Sequence, residues 1–286
     1  MIVKLISRIP FRLLYILSDI LYFPVYYIVR YRRKIVRSNL VESFPEISHK
    51  EIVSIEKKFY HFLIDMIFET CKLSSISHDE IMRRMKFINA DKVNGMLVQG
   101  KSISVFMGHC GNWEWVSSFG LWLDNSAIIV SVYHRLRNSF VNKAIKSIRE
   151  RFGNISVDMR KTAKSIARIS NAPIPHIFGF IADQSPRRCQ SNHYTDFLNH
   201  NIPVLTGTEK LTKRYGYEAL FLSVRRIQRG YYECEFIPLH DAPATLPDFE
   251  LTRLYFQQLE KEITAQPECY LWSHNRFKYS RNKYTH

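Results

Sequence analysis

The 286 residues carry 41 Lys and Arg against 26 Asp and Glu, a formal charge of +15. With 46% hydrophobic and 14% aromatic residues the chain has material for a sizeable core, which excludes a disordered tail or a low-complexity segment. Its five cysteines are odd in number and hold no C-x-x-C pair, which argues against a disulfide framework or a zinc ribbon and for a reducing compartment.

The first element is the apolar run 13–29, LLYILSDILYFPVYYIV, followed at once by RYRRK at 30–34. A bilayer span needs about 20 apolar residues. Shorter than that and interrupted by Asp19 and Pro24, the run reads as a marginal anchor lying in the interface or dipping into one leaflet. The alternative is an aromatic-rich hairpin buried on the domain's own core. Charge favours the anchor: residues 1–37 have a net +7 and residues 271–286 a net +4, so the two ends hold 11 of the 15 excess charges. Basic residues beside an apolar segment add about 1 kcal/mol each toward anionic lipid. The stretch is too long and aromatic for a secretory leader, and no small-residue cleavage site follows it. The expected organisation is an anchor over 1–36 and one catalytic-sized domain over 37–286.

Residues 49–72 place Ile52, Ile55, Phe59, Phe62, Leu63, Met66 and Ile67 at helical spacing, which predicts a helix. Beyond it, 102–107, 128–133, 173–182, 218–224 and 231–239 read as strands, with helical patterns at 139–152, 160–170, 207–215 and 249–264. Near-continuous apolar strands joined by helices indicate an α/β fold with a mainly parallel central sheet flanked by helices. In such sheets the chemistry sits at the carboxyl ends of the strands.

Directly past the strand 102–107 comes Gly108-His109-Cys110-Gly111-Asn112-Trp113-Glu114. On one regular helix His109 and Glu114 would lie about 140° apart and would not meet. The glycines remove that obstacle: His109 sits on the loop leaving the strand, while Gly111 and Asn112 supply the turn and cap that start a helix carrying Glu114. The expected pair is His109 as general base with Glu114 accepting from one imidazole nitrogen, which suits direct attack by a substrate hydroxyl.

The run GHCGNWE resembles the H-x-x-x-x-D/E signature of glycerolipid-type acyltransferases, and in this form it is similar to the bacterial lipid A late acyltransferases, the lauroyl/myristoyl transferase family. Five further segments carry the resemblance in order: RSNLVESFPEIS (37–48), VYHRLRN (132–138), IADQSP (181–186), LTGT (205–208) and PECYLWSHNRFK (267–278). Where the family has Arg after the Tyr, this chain has His134 then Arg135, so either takes that part. Ala182 stands where many members have Pro, and Cys110 where others often carry Phe.

The resemblance implies a glycerolipid acyltransferase-like fold with an N-terminal helical membrane anchor, and transfer of a fatty acyl chain from acyl carrier protein to a hydroxyl of a lipid A precursor. It implies His109 and Glu114 as catalytic residues and Arg135, Asn138, Asp183 and Gln184 as substrate-binding ones. No metal, cofactor or acyl-enzyme is expected. The partners implied are an acyl carrier protein thioester, a phosphorylated glycolipid acceptor and an anionic membrane surface, at the cytoplasmic face of the inner membrane. Both substrates are anionic and suit a basic enzyme, and Arg225, Arg226 and Arg229 are candidates for the carrier-docking surface. His193 and His200 flank a polar loop without a third ligand at metal spacing. The competing readings are an acyltransferase for a lysophospholipid or aminolipid, nucleophilic catalysis by Cys110, and a non-enzymatic membrane or nucleic-acid binding module. Against the last, no nucleic-acid-reading motif is present.

Overall fold

The computed structural model describes residues 2–124, 127–135, 138–186 and 193–281. Arg137 of the VYHRLRN segment, Cys189 and Lys283 lie outside the described residues.

The chain opens with α1 (Ile2–Arg8) and α2 (Phe11–Phe23), which runs on through a π-helical turn at Pro24–Ile28, then α3 (Arg33–Ser43) and α4 (His49–Lys72). There follow α5 (His78–Arg84), β1 (Met85–Phe87), α6 (Ala90–Val98), β2 (Ile103–Met107) and a 3₁₀ segment at Trp115–Trp122. The middle of the chain gives β3 (Ile128–Tyr133), α7 (Ser139–Arg149), β4 (Ile155–Asp158), α8 (Thr162–Ile169) and β5 (His176–Ile181). The last third adds the hairpin β6 (His193–Phe197) and β7 (His200–Val204), α9 (Gly207–Tyr215), β8 (Glu218–Gln228), β9 (Tyr231–His240) and α10 (Glu250–Ala265).

Seven strands form one sheet in the order β1-β9-β8-β2-β5-β3-β4, parallel throughout except for the antiparallel β8/β9 pair. The fold is α/β with a mostly parallel central sheet flanked by helices. Side chains alternate between its faces. On one face Phe106 and Phe180 pack toward Tyr255 of α10, and Val130 and Phe178 meet Ile166 and Ile169 of α8. On the other, Val105, Met107, Ile177, Gly179 and Ile181 line a cavity roofed by Val116 and Phe119 of the 3₁₀ segment and Ile145 of α7.

Helix α4 begins at a capping box, Ser48 Oγ accepting from Glu51 N while the Glu51 side chain accepts from Ser48 N. It then buries three carboxylates that organise the N-terminal segment. Glu56 accepts from Tyr26 Oη and Arg33 Nε, each at 2.9 Å, and pairs with Arg37. Asp65 accepts from Ser18 Oγ at 2.7 Å, Arg226 Nη2 at 2.9 Å and Arg229 Nη2 at 2.6 Å. Glu69 accepts from Asn112 Nδ2 and Tyr232 Oη, each at 2.8 Å, and Tyr15 Oη at 3.0 Å.

Two expectations change as a result. Asp19 is not an isolated carboxylate in an apolar run, since Arg229 grips it through Nη1 at 3.0 Å and Nη2 at 2.7 Å. The candidates for carrier docking, Arg225, Arg226 and Arg229, are also already paired, although the Arg225 side chain stays about half exposed. Arg226 and Arg229 are spent on Asp65 and Asp19, and Arg225 pairs with Glu233.

The helical run Phe11–Ile28 is long and apolar enough to cross a bilayer by length and composition. It packs by one side only. Leu14, Ser18, Tyr22 and Tyr26 are buried, whereas Leu13, Ile16, Ile20, Phe23 and Ile28 are exposed. The boundary expected at 36/37 falls within α3, where Val36 is fully buried.

Candidate active site

Strands β2 and β5 pair in parallel with Met107 opposite Ile181. His109 and Asp183 each follow two residues later, so the two side chains emerge side by side at the carboxyl ends of adjacent strands, where open α/β sheets bind ligands. Asp183 Oδ1 lies 2.6 Å from His109 Nδ1, and Asp183 Oδ2 accepts from the His109 backbone N–H at 3.1 Å. The Gln184 amide Nε2 sits 3.2 Å from His109 Nε2. Because that amide donates, Nε2 carries the lone pair and Nδ1 carries the proton donated to Asp183. Trp113 packs edge-on against the imidazole at 5.1 Å between ring centres.

The partner of His109 is thus Asp183 and not Glu114. Glu114 precedes the 3₁₀ segment, and its carboxylate is clamped by Arg149 through Nε at 2.7 Å and Nη2 at 2.6 Å. Such a bidentate pair uses both carboxylate oxygens. Glu114 and Arg149 still line the cavity that His109 opens into.

Asp183 is almost fully buried. Burial alone would raise its pKa, but the electrostatic attraction of the neighbouring His109, its two hydrogen bonds and the nearby Arg276 outweigh that and hold the carboxyl below its ordinary value. The C-terminal segment steadies this strand end. Ser185 N donates to His274 Nε2 at 3.2 Å, and Ser185 Oγ donates to Arg276 O at 2.5 Å. Desolvation pushes His274 down to about 4, which keeps it neutral and able to accept that bond.

Glycine is required at the turn. Gly111 has φ +54°, and a Cβ there would lie 2.5 Å from the Val224 carbonyl oxygen. The next residue, Asn112, is fully buried; its Oδ1 accepts from Trp115 N at 3.1 Å as the expected cap, and its Nδ2 donates to Glu69. The cap starts a 3₁₀ segment, not an α-helix.

Cys110 points away from this chemistry. It is buried, desolvation drives its thiol well above the ordinary value, and it lies outside the lining of the His109 cavity. A thiol so held is a poor nucleophile. Arg135 lines the cavity, as do His134 and Gln184. Asn138 does not: its Oδ1 accepts from Phe140 N at 3.0 Å and Val141 N at 3.1 Å, capping α7. His193 and His200 stack on Phe249 and Phe277 at 4.0 and 3.9 Å. Sequence reasoning missed Arg149 and the Glu69 support. The periodicity of 139–152 marked Arg149 only as one more helical cation, and Glu69 only as a polar position of α4.

Behind the turn, Glu262 of α10 accepts from Val224 N at 2.8 Å. Its burial outweighs that bond and one from Ser223, and pushes its pKa up to about 7. The folded chain therefore holds a proton between pH 4.5 and 7 that the unfolded chain has lost, so this stabilising contribution is full below 4.5 and lost as pH rises to 7. Glu262→Gln should accordingly gain stability relative to the native chain across that window, by about 2–3 kcal/mol. Urea melts at pH 5 and pH 8 measure it, and a difference that does not change with pH would contradict it.

The cavity beneath His109 has a volume of about 840 Å³. Its charged and polar lining includes the exposed His134, Arg135 and Arg160 and the more buried His109, Glu114 and Arg149, and apolar side chains of β2, β3 and β5 line it as well. Residues 1–279 match the sequence profile of the bacterial lipid A biosynthesis acyltransferases. The chain belongs to that family. Among curated proteins there is no match. Membership makes the protein an acyltransferase with an acyl donor and a lipid acceptor, and for such an acyltransferase the His109 cavity joins a basic rim, suited to an anionic headgroup, to an apolar trough.

Proposed function

We propose that this acyltransferase moves a fatty acyl chain from an acyl carrier protein thioester to a hydroxyl of a phosphorylated lipid A precursor. The observation that carries the reading is the His109–Asp183 pair, with Nε2 facing the amphiphilic cavity. The acceptor hydroxyl displaces the Gln184 amide and gives its proton to Nε2 as its oxygen attacks the thioester carbonyl. The C–O bond forms, the tetrahedral intermediate collapses with cleavage of the C–S bond, and the imidazolium returns the proton to the departing thiolate. Asp183 holds the ring and stabilises the imidazolium. Arg135 faces the acceptor's phosphate, and the Glu114–Arg149 clamp shapes the same wall.

The exposed side of residues 11–28 lies in the membrane interface, at the cytoplasmic face of the inner membrane. In support, the helix is apolar on its free side, pinned to α4 on the other, and flanked by exposed Lys4, Arg8, Arg12, Arg30 and Lys34. The test supplies acyl carrier protein thioester to the purified full chain, with the phosphorylated glycolipid either in anionic vesicles or in detergent micelles. Mass spectrometry should find the acceptor heavier by one acyl group. The double variant Ile16→Asp/Ile20→Asp should lose most transfer in vesicles and keep it in micelles. No acylated product in either medium would reject the proposed reaction, and equal losses in both would reject the docking surface.

A further inference from the structure

After His176, strand β5 is made of large apolar residues except for a glycine in its middle, HIFGFI, a position where glycine weakens a sheet. Gly179 needs no unusual backbone, and a Cβ added there would have a single neighbour within 4 Å, the Val130 carbonyl oxygen at 3.8 Å, an ordinary contact. Packing does not forbid a side chain at 179; the position is open because the cavity passes over it.

The register shows what the opening does. Going inward from His109 and Asp183, the first row on the cavity face is Met107 beside Ile181, the second is Val105, Gly179 and Ser131, and the third is Ile177 beside Ile129. Of the residues in these three rows the middle row holds the two smallest, Gly179 and Ser131, in direct register with each other. Bulkier residues lie above and below them. Gly179 is four residues in from Asp183, about 13 Å along a strand. With C–C bonds of about 1.5 Å, an extended chain of roughly ten carbons covers that distance.

We propose that Gly179, with Ser131 beside it, is the specificity determinant for acyl-chain length: its missing side chain lets a chain continue past the middle row to the isoleucines. The inference rests on the acyl-transfer reading above. A branched side chain at 179 would fill the trough and bring its effective end up to the middle row. Chains that stop short of it are accommodated, and longer ones meet a wall.

The experiment compares the native chain with Gly179→Val and Ser131→Leu on octanoyl, decanoyl, dodecanoyl, tetradecanoyl and hexadecanoyl thioesters, each protein first checked for a cooperative thermal transition. Two variants are used so that misfolding of one leaves the other to decide. The expected result is that the ratio of kcat/KM for the longer donors to that for octanoyl falls by about tenfold or more in each variant. A ratio unchanged from the native chain in a folded variant would overturn the inference while leaving acyl transfer standing. Absence of transfer by the native chain with every donor would remove the underlying reading and the inference with it.

Discussion

Asp183→Asn is expected to lower kcat by about 10³- to 10⁴-fold with little change in KM. The carboxylate receives the Nδ1 proton at 2.6 Å and the His109 backbone N–H at 3.1 Å. An asparagine amide keeps the size and one acceptor, but it can present its NH₂ to Nδ1. The imidazole would then carry its proton on Nε2, and the lone pair needed to take the hydroxyl proton would point at residue 183 instead of the substrate. The charge that stabilises the imidazolium is lost as well. Steady-state kinetics with the full chain and an acyl thioester measures the effect, and a protein that keeps near-native kcat would reject Asp183 as the orienting group. Glu114, clamped by Arg149, belongs to a different interaction, so its substitution cannot stand in for this one.

Asp65→Ala should destabilise the fold by about 3–5 kcal/mol. Asp65 is buried and accepts from Ser18, Arg226 and Arg229, so its loss leaves the mostly buried Arg226 guanidinium without that anion and removes the Ser18 tie between α2 and α4. A buried charge stripped of its partner costs far more than an exposed pair does. Asp19→Ala supplies the contrast. That carboxylate is half exposed, and Arg229 keeps Asp65 when it is gone, so the loss should be about 1 kcal/mol or less. Urea denaturation of both variants at pH 7 separates the cases. Similar midpoints for the two would mean that Asp65 is not what holds the N-terminal helix.

That contrast explains why +15 is a poor guide to surface. Eleven of the excess charges lie at the two ends of the chain, but Arg33, Arg37, Arg226, Arg229 and Arg276 are turned inward onto carboxylates, hydroxyls or backbone oxygens. Removing residues 1–30, which looks harmless if they are a separate anchor, would uncover Asp65 and Glu56 and take away Leu14, Tyr22 and Tyr26 from the core.

Local pattern determined a great deal about this protein. The helical period of 49–72, the apolar run 128–133 and the helical pattern 207–215 agree with the structure at both ends, because each is written in consecutive residues. His109 in a glycine turn past a buried strand, Asp183 at the end of another, and the family itself were legible in the same way. The three-residue β1, the short β4 and the hairpin β6/β7, turned by Leu198 and Asn199 at positive φ, escaped because runs of three to five residues carry too little periodicity. Tertiary structure alone decided which carboxylate meets His109. Glu114 is five residues away and Asp183 seventy-four, yet parallel pairing of Met107 with Ile181 brings the distant one into contact, while Arg149, delivered by α7, draws the near one aside. A hydrogen bond depends on separation in space, and strand register sets that separation between residues far apart in the chain.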